Sequence, residues 1–409
     1  MSDVMKGIRV LEVAEHTFVP AASAVLAEWG AEVIKVEHIT RGDAMRGLGS
    51  TGVMNLGGGV HVLYEHSNRG KKSIALDLTI PEGLEVLYAL AKTCDVFISN
   101  KTLGVARKLK VDVDDIRAHN PKIIYARGSA YGTRGPEGER GGYDMTGFWC
   151  RGGSSASCSP PDIDGVIGQP GPAYGDSMGA MTIAGGISAA LFKRERTGEP
   201  SVVDVSLLGL GTWAMGAGMA LAMQMGQPWQ HPPIAGGGAG GFGNPLVGTY
   251  RTKDDRYLNL TMLQAFQYWA DACHHLGIPE LADDPRFDSH ENLTENAADA
   301  KQAVADAVRG KTLAEWREAL ATMKGQWAPI QNVLELAEDP QVRANGYVQG
   351  AETSEGTAFE LAASPVQFDE KPTPTRRGPD FNEHGDEILQ ELGLDWEQII
   401  DLKTKGAVA

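Results

Sequence analysis

The sequence predicts an α/β protein whose larger domain is a Rossmann-like, doubly wound parallel sheet. Short β-branched apolar runs alternate with helical patterns through the first third of the chain. The clearest helical connection is 81–93, where Leu84, Leu87, Leu90 and Ala91 share one face. Because strands separated by helices pair in parallel through right-handed crossovers, this alternation favours an open sheet with helices on both sides.

A large domain over residues 1–226 is predicted to contain six strands. They are 7–13, 31–37, 73–78, 95–99, 122–126 and 201–206, and the helices between and after them are 20–29, 81–93, 176–196 and 207–226.

A smaller α+β domain is predicted over 227–339, beginning with a Gly-rich linker. Its expected elements are a hairpin in 246–262 that turns at 253–256, followed by the helices 297–308 and 313–323. Residues 340–409 are expected to return to the large domain. They contain a predicted strand over 362–368 and two helices, 386–392 and 395–402, separated by Gly393.

Composition excludes several classes of partner. The net charge of −16, from 37 Lys and Arg against 53 Asp and Glu, argues against nucleic acid. The four cysteines lie far apart without a CxxC pair, which indicates a reducing, cytoplasmic location and no disulfide framework. The histidines show no HxxxH or HExxH spacing, so no metal site is predicted. The short polar stretch 1–7 predicts no secretory signal.

Residues 205–226 carry no charged side chain and are long enough to cross about 30 Å of hydrocarbon. However, glycines recur at 209, 211, 216 and 218, and Ser206, Thr212 and Gln224 add polar groups. The segment is therefore predicted to be a buried helix, and no membrane partner is expected.

The glycine pattern argues against a nicotinamide cofactor. The loop after the first strand, 12–20, contains no glycine, so the GxGxxG fingerprint is missing where that fold requires it. A polyanionic small ligand remains compatible with two basic clusters, one at Arg69, Lys71 and Lys72 and one at Lys101, Arg107, Lys108 and Lys110. The second cluster follows the carboxyl end of a strand, where doubly wound sheets bind ligands.

Asp176 is the strongest candidate for a reactive side chain. It lies in Gly-Pro-Ala-Tyr-Gly-Asp-Ser-Met-Gly-Ala at 171–180, at the expected beginning of a long helix. Unpaired backbone N–H groups and the helix dipole are expected to keep its carboxylate ionised, as a nucleophile requires. The alternative is an ordinary helix N-cap, a position that Asp favours.

The ordered motifs of the chain resemble the class III coenzyme A transferases, the CaiB/BaiF family that includes formyl-CoA transferase and carnitine CoA-transferase. The resemblance covers nearly the entire chain. The motifs that carry it include Gly7-Ile-Arg-Val-Leu-Glu12, Arg41-Gly-Asp43, Lys71-Lys-Ser-Ile-Ala-Leu-Asp77, Gly142-Tyr143-Asp144, Gly175-Asp176, Asn244-Pro245, Gly248-Thr-Tyr-Arg-Thr252 and Asp339-Pro-Gln-Val-Arg343.

The resemblance implies a mechanism in which Asp176 attacks an acyl-CoA thioester and passes through aspartyl–acyl anhydride and aspartyl-CoA thioester intermediates. It also implies an interlocked homodimer and coenzyme A as substrate, without a permanently bound cofactor. With the basic clusters, it predicts CoA-binding residues at His16, Thr17, His38, Lys72, Leu76, Asn100, Lys101, Arg107, Lys108 and Tyr131. The glycines 236–241 resemble the loop that closes over the family's active site, here Gly236, Gly237, Gly238, Gly240 and Gly241. The alternative for this stretch is a flexible linker.

Three departures from the family's patterns bear on the substrate. Thr17-Phe-Val-Pro20 stands where formyl-CoA transferase has Gln-Ala-Gly-Pro, which disfavours formate or oxalate and favours a larger acyl group. His38 stands where an Arg contacts the adenine end of CoA. Tyr143 replaces the catalytic His of the related α-methylacyl-CoA racemase, and a tyrosine with a reference pKa of about 10 suits that role poorly. CoA transfer is therefore favoured over two alternatives, a racemase or epimerase of α-branched acyl-CoA and a non-catalytic CoA-binding protein.

Overall fold

The computed structural model describes residues 3–46, 59–232 and 243–409. The chain divides into two compact units. One unit comprises residues 1–156, 168–228 and 339–409, and the other comprises 157–167 and 229–338. The sequence pattern did not indicate that 157–167 would join the second unit, because this Pro- and Gly-rich stretch has no periodicity.

The first unit is built on a six-stranded parallel sheet in the order β3-β2-β1-β4-β5-β6, which confirms the predicted α/β class. Leu11 at the centre pairs with Ile34 on one side and with Phe97 on the other. The strand order reverses between β1 and β4, so the loops after these strands border the crevice where such sheets bind ligands. The strands are β1 (Arg9–Val13), β2 (Glu32–His38), β3 (Lys72–Leu76), β4 (Val96–Ser99), β5 (Ile124–Ser129) and β6 (Val202–Ser206).

Helices cover both faces of this sheet. A π-helical turn also occurs at Met145–Cys150. The helices between residues 18 and 225 are α1 (Phe18–Glu28), α2 (Val62–Asn68), α3 (Pro81–Thr93), α4 (Leu103–Lys108), α5 (Val113–His119), α6 (Ser154–Cys158), α7 (Tyr174–Thr197), α8 (Leu207–Ala214) and α9 (Gly216–Met225). Along β1, alternate residues face opposite sides. Leu11 and Val13 join the core formed with α3 and α5, while α1 is buried along its whole length and packs against α7.

Buried charges lie within this unit. The Glu12 carboxylate accepts hydrogen bonds from the ammonium groups of Lys35 and Lys71 at 2.7 and 2.6 Å, and Lys35 also pairs with Asp43 at 2.6 Å. All four side chains are buried. Each charge therefore depends on its partners for compensation, because an uncompensated buried charge is strongly destabilising.

The predicted helix 207–226 is instead two helices, α8 and α9, which meet at Met215. The expectation that it is buried is wrong for the single chain: α9 has no buried residue, and Trp213 is 86% exposed. Within the described residues, every helix is too short or too polar to traverse a lipid bilayer.

The second unit packs helices against a three-stranded antiparallel sheet, β7-β8-β9. The predicted hairpin forms, with Val247 opposite Thr261. Its core is centred on Trp269, Phe287 and Trp316. The elements are β7 (Val247–Arg251), β8 (Tyr257–Thr261), α10 (Ala265–Leu276), a 3-10 turn (Pro279–Leu281), α11 (His290–Glu295), α12 (Ala297–Val308), α13 (Leu313–Ala319), β9 (Trp327–Pro329) and α14 (Val333–Glu338).

The C-terminal segment of the first unit contains α15 (Pro340–Ala344), the antiparallel pair β10 (Val348–Glu352) and β11 (Ala358–Ala362), α16 (Gly385–Glu391) and α17 (Trp396–Thr404). The predicted strand 362–368 is wrong, since β11 ends where it was expected to begin. Ser364 instead binds the C-terminal end of α1. Its hydroxyl accepts a hydrogen bond from the Trp29 indole at 3.1 Å, and its backbone N–H donates to the Glu28 carboxylate at 3.0 Å.

Candidate active site

Asp176 lies in the first turn of α7 and lines a cavity of about 670 Å³. The N-cap position is held by Ala173, in the left-handed conformation with φ 58°, and Asp176 is the third helical residue. The alternative that Asp176 is an N-cap is therefore wrong. Its side chain is placed on a cavity of the size that small-molecule sites occupy.

The Asp176 carboxyl group is not held permanently ionised. Burial and the neighbouring Asp144 raise its pKa to about 7. The sequence-based expectation of a dipole-stabilised carboxylate is wrong because desolvation and a like charge both favour the neutral acid. At neutral pH the side chain is divided between the neutral acid and the carboxylate.

Asp144 occupies the backbone donors at the beginning of α7. Its two carboxylate oxygens accept from the Gly175 N–H at 3.2 and 3.0 Å, and it also accepts from the Asp176 N–H. A Cβ atom at position 175 would lie 2.4 Å from both Asp144 Oδ1 and the Phe148 ring. Glycine at this position therefore permits the approach of the carboxylate to the helix.

Phe18 forms part of the cavity wall and packs between β5 and α7. A Cβ at Gly128 would lie 2.4 Å from Val19 and 2.8 Å from the Phe18 ring, and one at Gly179 would lie 2.2 Å from that ring. The two glycines thus make room for the bulky residues that replace Ala-Gly of formyl-CoA transferase.

The loop after β1 brings His16 to the cavity in a left-handed conformation, with φ 69°. Two side chains fix this loop, the buried Asp43 and the half-buried Asn100. Asp43 accepts from the His16 N–H at 3.1 Å, and Asn100 binds both the N–H and the carbonyl of Glu15, at 3.2 and 2.6 Å. The His16 ring meets the Tyr143 ring edge-on at 5.5 Å between centroids. Backbone strain of this kind persists where surrounding contacts enforce it, as they do here.

Two cations border the cavity and share one counter-ion. Lys101 donates to Glu15 at 2.6 Å, and Arg41 donates to both Glu15 oxygens at 2.9 Å. Burial acts to raise the pKa of Glu15, but these two cations lower it overall. The three side chains therefore carry a net positive charge at neutral pH.

A smaller, mainly apolar cavity of about 180 Å³ adjoins the same loops. His38 and Leu76, at the carboxyl ends of β2 and β3, line it. Glu15, Arg41, Lys101 and Val105 line both cavities.

The two cavities together bring seven of the predicted residues to one edge of the sheet. Those are His16, His38, Leu76, Asn100, Lys101, Tyr131 and Asp176.

The other predicted residues of the described chain line neither cavity. Thr17 is buried at the beginning of α1. Lys72, at the opposite end of β3, binds Glu32, Glu387 and Glu391, so its charge is already compensated. Arg107 pairs with Glu139 at 3.2 Å, and Lys108 is exposed on α4. The predicted loop glycines Gly236, Gly237, Gly238, Gly240 and Gly241 lie outside the described residues.

The sequence reasoning missed the roles of Glu15, Arg41 and Asp144. Arg41 and Asp144 belong to motifs of the family resemblance, but nothing in their spacing indicated their partners. In the described part of the chain, no group of three or more His, Cys, Asp or Glu side chains is arranged to hold a metal ion.

Comparisons with known proteins show which family the chain belongs to. The model of CoA-transferase family III matches residues 5–385. The (R)-2-hydroxy-4-methylpentanoate CoA-transferase of Clostridioides difficile is 28% identical over 406 residues, covering 99% of each chain. The succinate–glutarate CoA-transferase of Agrobacterium fabrum is 30% identical over 393 residues, covering 95% of each chain. A crystal structure of a CaiB/BaiF family protein from Brucella suis superposes with a TM-score of 0.78 at 26% identity, covering 96% of this chain and 100% of that one.

The chain therefore belongs to CoA-transferase family III. It is an enzyme of the CoA-transferase class, and the racemase alternative is not favoured.

Proposed function

We propose that this enzyme moves CoA from an acyl-CoA to an acceptor carboxylic acid through covalent intermediates on Asp176. The observation that carries the proposal is the position of Asp176, a part-buried carboxyl group lining a large cavity beside the switch point of the sheet. A pKa of about 7 leaves a substantial carboxylate fraction at neutral pH, which suits a nucleophile.

CoA would lie along the carboxyl edge of the sheet. The adenine would enter the small cavity between His38 and Leu76, with its phosphates beside Lys101 and Arg41. The pantetheine arm would then pass the Glu15–His16 loop and bring the thioester to Asp176 in the large cavity. Lys101 and Arg41 both pair with Glu15 in the structure. When phosphate oxygens bind, these two cations would exchange part of their contact with Glu15 for contact with the phosphates.

The reaction begins with attack of an Asp176 carboxylate oxygen on the thioester carbonyl carbon. The C–S bond breaks, CoA leaves as the thiolate, and an aspartyl–acyl anhydride remains. The thiolate attacks the Asp176 carbonyl, which releases the donor acid and leaves an aspartyl-CoA thioester. The acceptor carboxylate attacks the Asp176 carbonyl of this thioester, the C–S bond breaks, and CoA leaves again as the thiolate, so that a second anhydride forms. The thiolate then attacks the acceptor carbonyl of this anhydride, which gives the new acyl-CoA and frees the Asp176 carboxylate. Exclusion of water protects both anhydrides.

The acyl group is proposed to be larger than formyl or oxalyl. The cavity volume of about 670 Å³ supports this size, and Phe18 supplies an apolar wall. The relatives named for 2-hydroxy-4-methylpentanoate and for succinate and glutarate suggest branched hydroxy acids or dicarboxylic acids as first candidates.

We further propose that the enzyme is a cytoplasmic homodimer that holds no permanent cofactor. The exposed apolar side chains on α8 and α9 support association of two copies, because monomers rarely expose such surfaces. These side chains are Trp213, Met219, Leu221, Met223 and Met225.

A substrate screen with one active-site variant tests the proposed reaction. Succinyl-CoA, 2-hydroxy-4-methylpentanoyl-CoA and oxalyl-CoA are offered with the free acids of the same series and with formate, and new thioesters are measured by chromatography. We expect transfer with one of the larger donors and a loss of at least about 10³-fold in Asp176→Asn. Asp395→Asn is the control, since Asp395 caps the remote helix α17 and Asn caps equally well. Full activity of Asp176→Asn, or turnover confined to oxalyl-CoA and formate, contradicts the proposal.

A further inference from the structure

The positive N-terminal end of α7 stabilises the carboxylate of Asp144, and not that of Asp176. The first-turn N–H groups of Gly175 and Asp176 donate to Asp144, a residue of the turn before the π-helix, and not to the Asp176 side chain. The amides that ordinarily lower the energy of a carboxylate at a helix N-terminus are therefore used by a second carboxylate.

Asp144 is also the charged neighbour that raises the pKa of Asp176, in addition to the effect of burial. Other titratable or charged side chains line the cavity with Asp176 and Asp144, namely Glu15, His16, Arg41, Lys101, Arg127, Tyr131, Arg140 and Tyr143. Tyr174 begins α7, and the His66 ring contacts the Ser177 hydroxyl at 3.3 Å. Burial, followed by Arg69, lowers the pKa of His66 to about 4, so this ring is neutral at pH 7. Among the described residues, Asp144 alone contributes a charge effect to the titration of Asp176.

We propose that Asp144 is a positioning residue that makes Asp176 a stronger nucleophile, by withholding the helix amides from it and by placing a like charge beside it. This inference rests on the proposed function and assigns the source of reactivity within that site. Gly175 is required for this arrangement of Asp144 and Asp176, because any side chain at position 175 would displace the Asp144 carboxylate.

The arrangement favours the covalent step in particular. When the Asp176 oxygen bonds to the acyl carbon, its negative charge is transferred to the departing CoA sulfur. The repulsion from Asp144 is present in the free carboxylate and absent in the neutral anhydride. The like charge therefore raises the energy of the reactant more than that of the intermediate, which lowers the cost of acylation.

The pH dependence of a single turnover tests this inference. Enzyme is mixed with the fastest donor of the screen, and the acylated Asp176 peptide is quantified by rapid quench and mass spectrometry between pH 5 and 9. In the native enzyme we expect the rate to rise with pH to a plateau, with a midpoint near 7. In Asp144→Asn the amide oxygen still accepts from Gly175, but the charge is gone. We expect the midpoint of this variant to fall by on the order of one pH unit. The rate at pH 6, expressed as a fraction of the plateau rate, should then be about fivefold higher than in the native enzyme.

The plateau rate of Asp144→Asn should at the same time be lower, because a less basic carboxylate is a weaker nucleophile. A purely structural role would lower the rate at every pH and leave the midpoint in place, and that result overturns the inference. Asp395→Asn serves as the control and should match the native curve. If Asp144→Asn does not fold, Gly175→Ala tests the same contact and should also move the midpoint to lower pH. Absence of any Asp176 adduct in the native enzyme rejects the proposed function itself, whereas a normal adduct with an unmoved midpoint rejects only the role of Asp144.

Discussion

At the scale of single residues, the proposed chemistry depends on two carboxyl groups that come from different parts of the chain. Asp176 is recognisable in the sequence because its motif is specific and precedes a long helical pattern. Asp144 and Gly175 are 31 positions apart in the sequence. Asp144 precedes a π-helical turn, and no periodicity in the sequence predicts that turn. The candidate nucleophile was therefore predictable from the sequence, whereas its protonation behaviour was not.

The raised pKa of Asp176 predicts that the ionised form of this proposed nucleophile destabilises the fold. Its folded-state pKa of about 7 exceeds the ordinary value of 3.8, so the folded protein holds a proton that the unfolded chain has lost between these pH values. The stability contributed by this group is therefore complete below about pH 4 and is lost as the pH rises through 7. Asp176→Asn lacks this penalty and should be more stable than the native protein at pH 8.

The upper limit of that gain is about 4 kcal/mol, the difference between the two pKa values converted at 1.36 kcal/mol per unit. Urea unfolding of both proteins at pH 4.5, 6 and 8 measures it, and the gain should shrink steadily toward the lowest pH. Equal stability of the two proteins at pH 8 would contradict the assigned pKa.

At the scale of elements, the packing of α1 against α7 shapes the side of the cavity that is proposed to hold the acyl group. Phe18 of α1 occupies the space that Gly179 of α7 and Gly128 of β5 leave open. Gly179 and Asp176 are three residues apart on α7 and so share one face of the helix. The wall of the cavity and the nucleophile are consequently fixed by the same helix pair.

A methyl group at position 179 should disturb this wall. In Gly179→Ala the new Cβ would lie 2.2 Å from the Phe18 ring and 2.6 Å from Leu210, so the ring must move. We expect a loss of about 1–3 kcal/mol in the free energy of unfolding, as for other overpacked cores. The ratio of kcat/KM for bulky against small acyl donors should also fall.

Gly185→Ala on the same helix is the matched control. Apart from the adjoining residues and the backbone of the helix itself, no described atom lies within 4 Å of a Cβ at that position. Because alanine is also the better helix former, stability should stay the same or rise by up to about 1 kcal/mol. If Gly179→Ala behaves like Gly185→Ala in both stability and donor preference, Phe18 does not shape the acyl pocket.

Elements with a strong local signal were predicted closely. The bounds of α3 and α12 agree with the sequence pattern, because each has a clear amphipathic period and, for α3, a proline at its beginning. The failures came where tertiary contacts decide. The apolar run 207–226 splits at Met215, and 362–368 is irregular because Ser364 binds the end of α1.

At the scale of the whole molecule, the exposed face of α8 and α9 is the feature that one chain leaves unexplained. The sequence predicted burial for this segment, which is apolar and rich in glycine, yet α9 has no buried residue. Burial in the second copy of the proposed homodimer would reconcile the composition with the exposure. Periodicity within one chain cannot distinguish these two kinds of burial.

Charged substitutions on this face test the proposed homodimer. We expect the native protein to elute as a dimer in size-exclusion chromatography with light scattering, and Trp213→Glu with Met223→Glu to yield monomer, because two desolvated charges would disrupt the interface. Gln390→Glu, on the exposed surface of α16, adds one negative charge elsewhere and should leave the dimer intact. A native monomer, or a double variant that remains dimeric, would contradict this assignment of the face.

The covalent role of Asp176 is tested most directly by trapping. The native enzyme is incubated with an active acyl-CoA donor and then with hydroxylamine or borohydride, and its proteolytic peptides are mapped by mass spectrometry. The account predicts a hydroxamate or a reduced side chain at Asp176, formed only when the donor is present and missing in Asp176→Asn. Modification at another residue, or an unmodified Asp176 peptide while the enzyme turns over that donor, would contradict it.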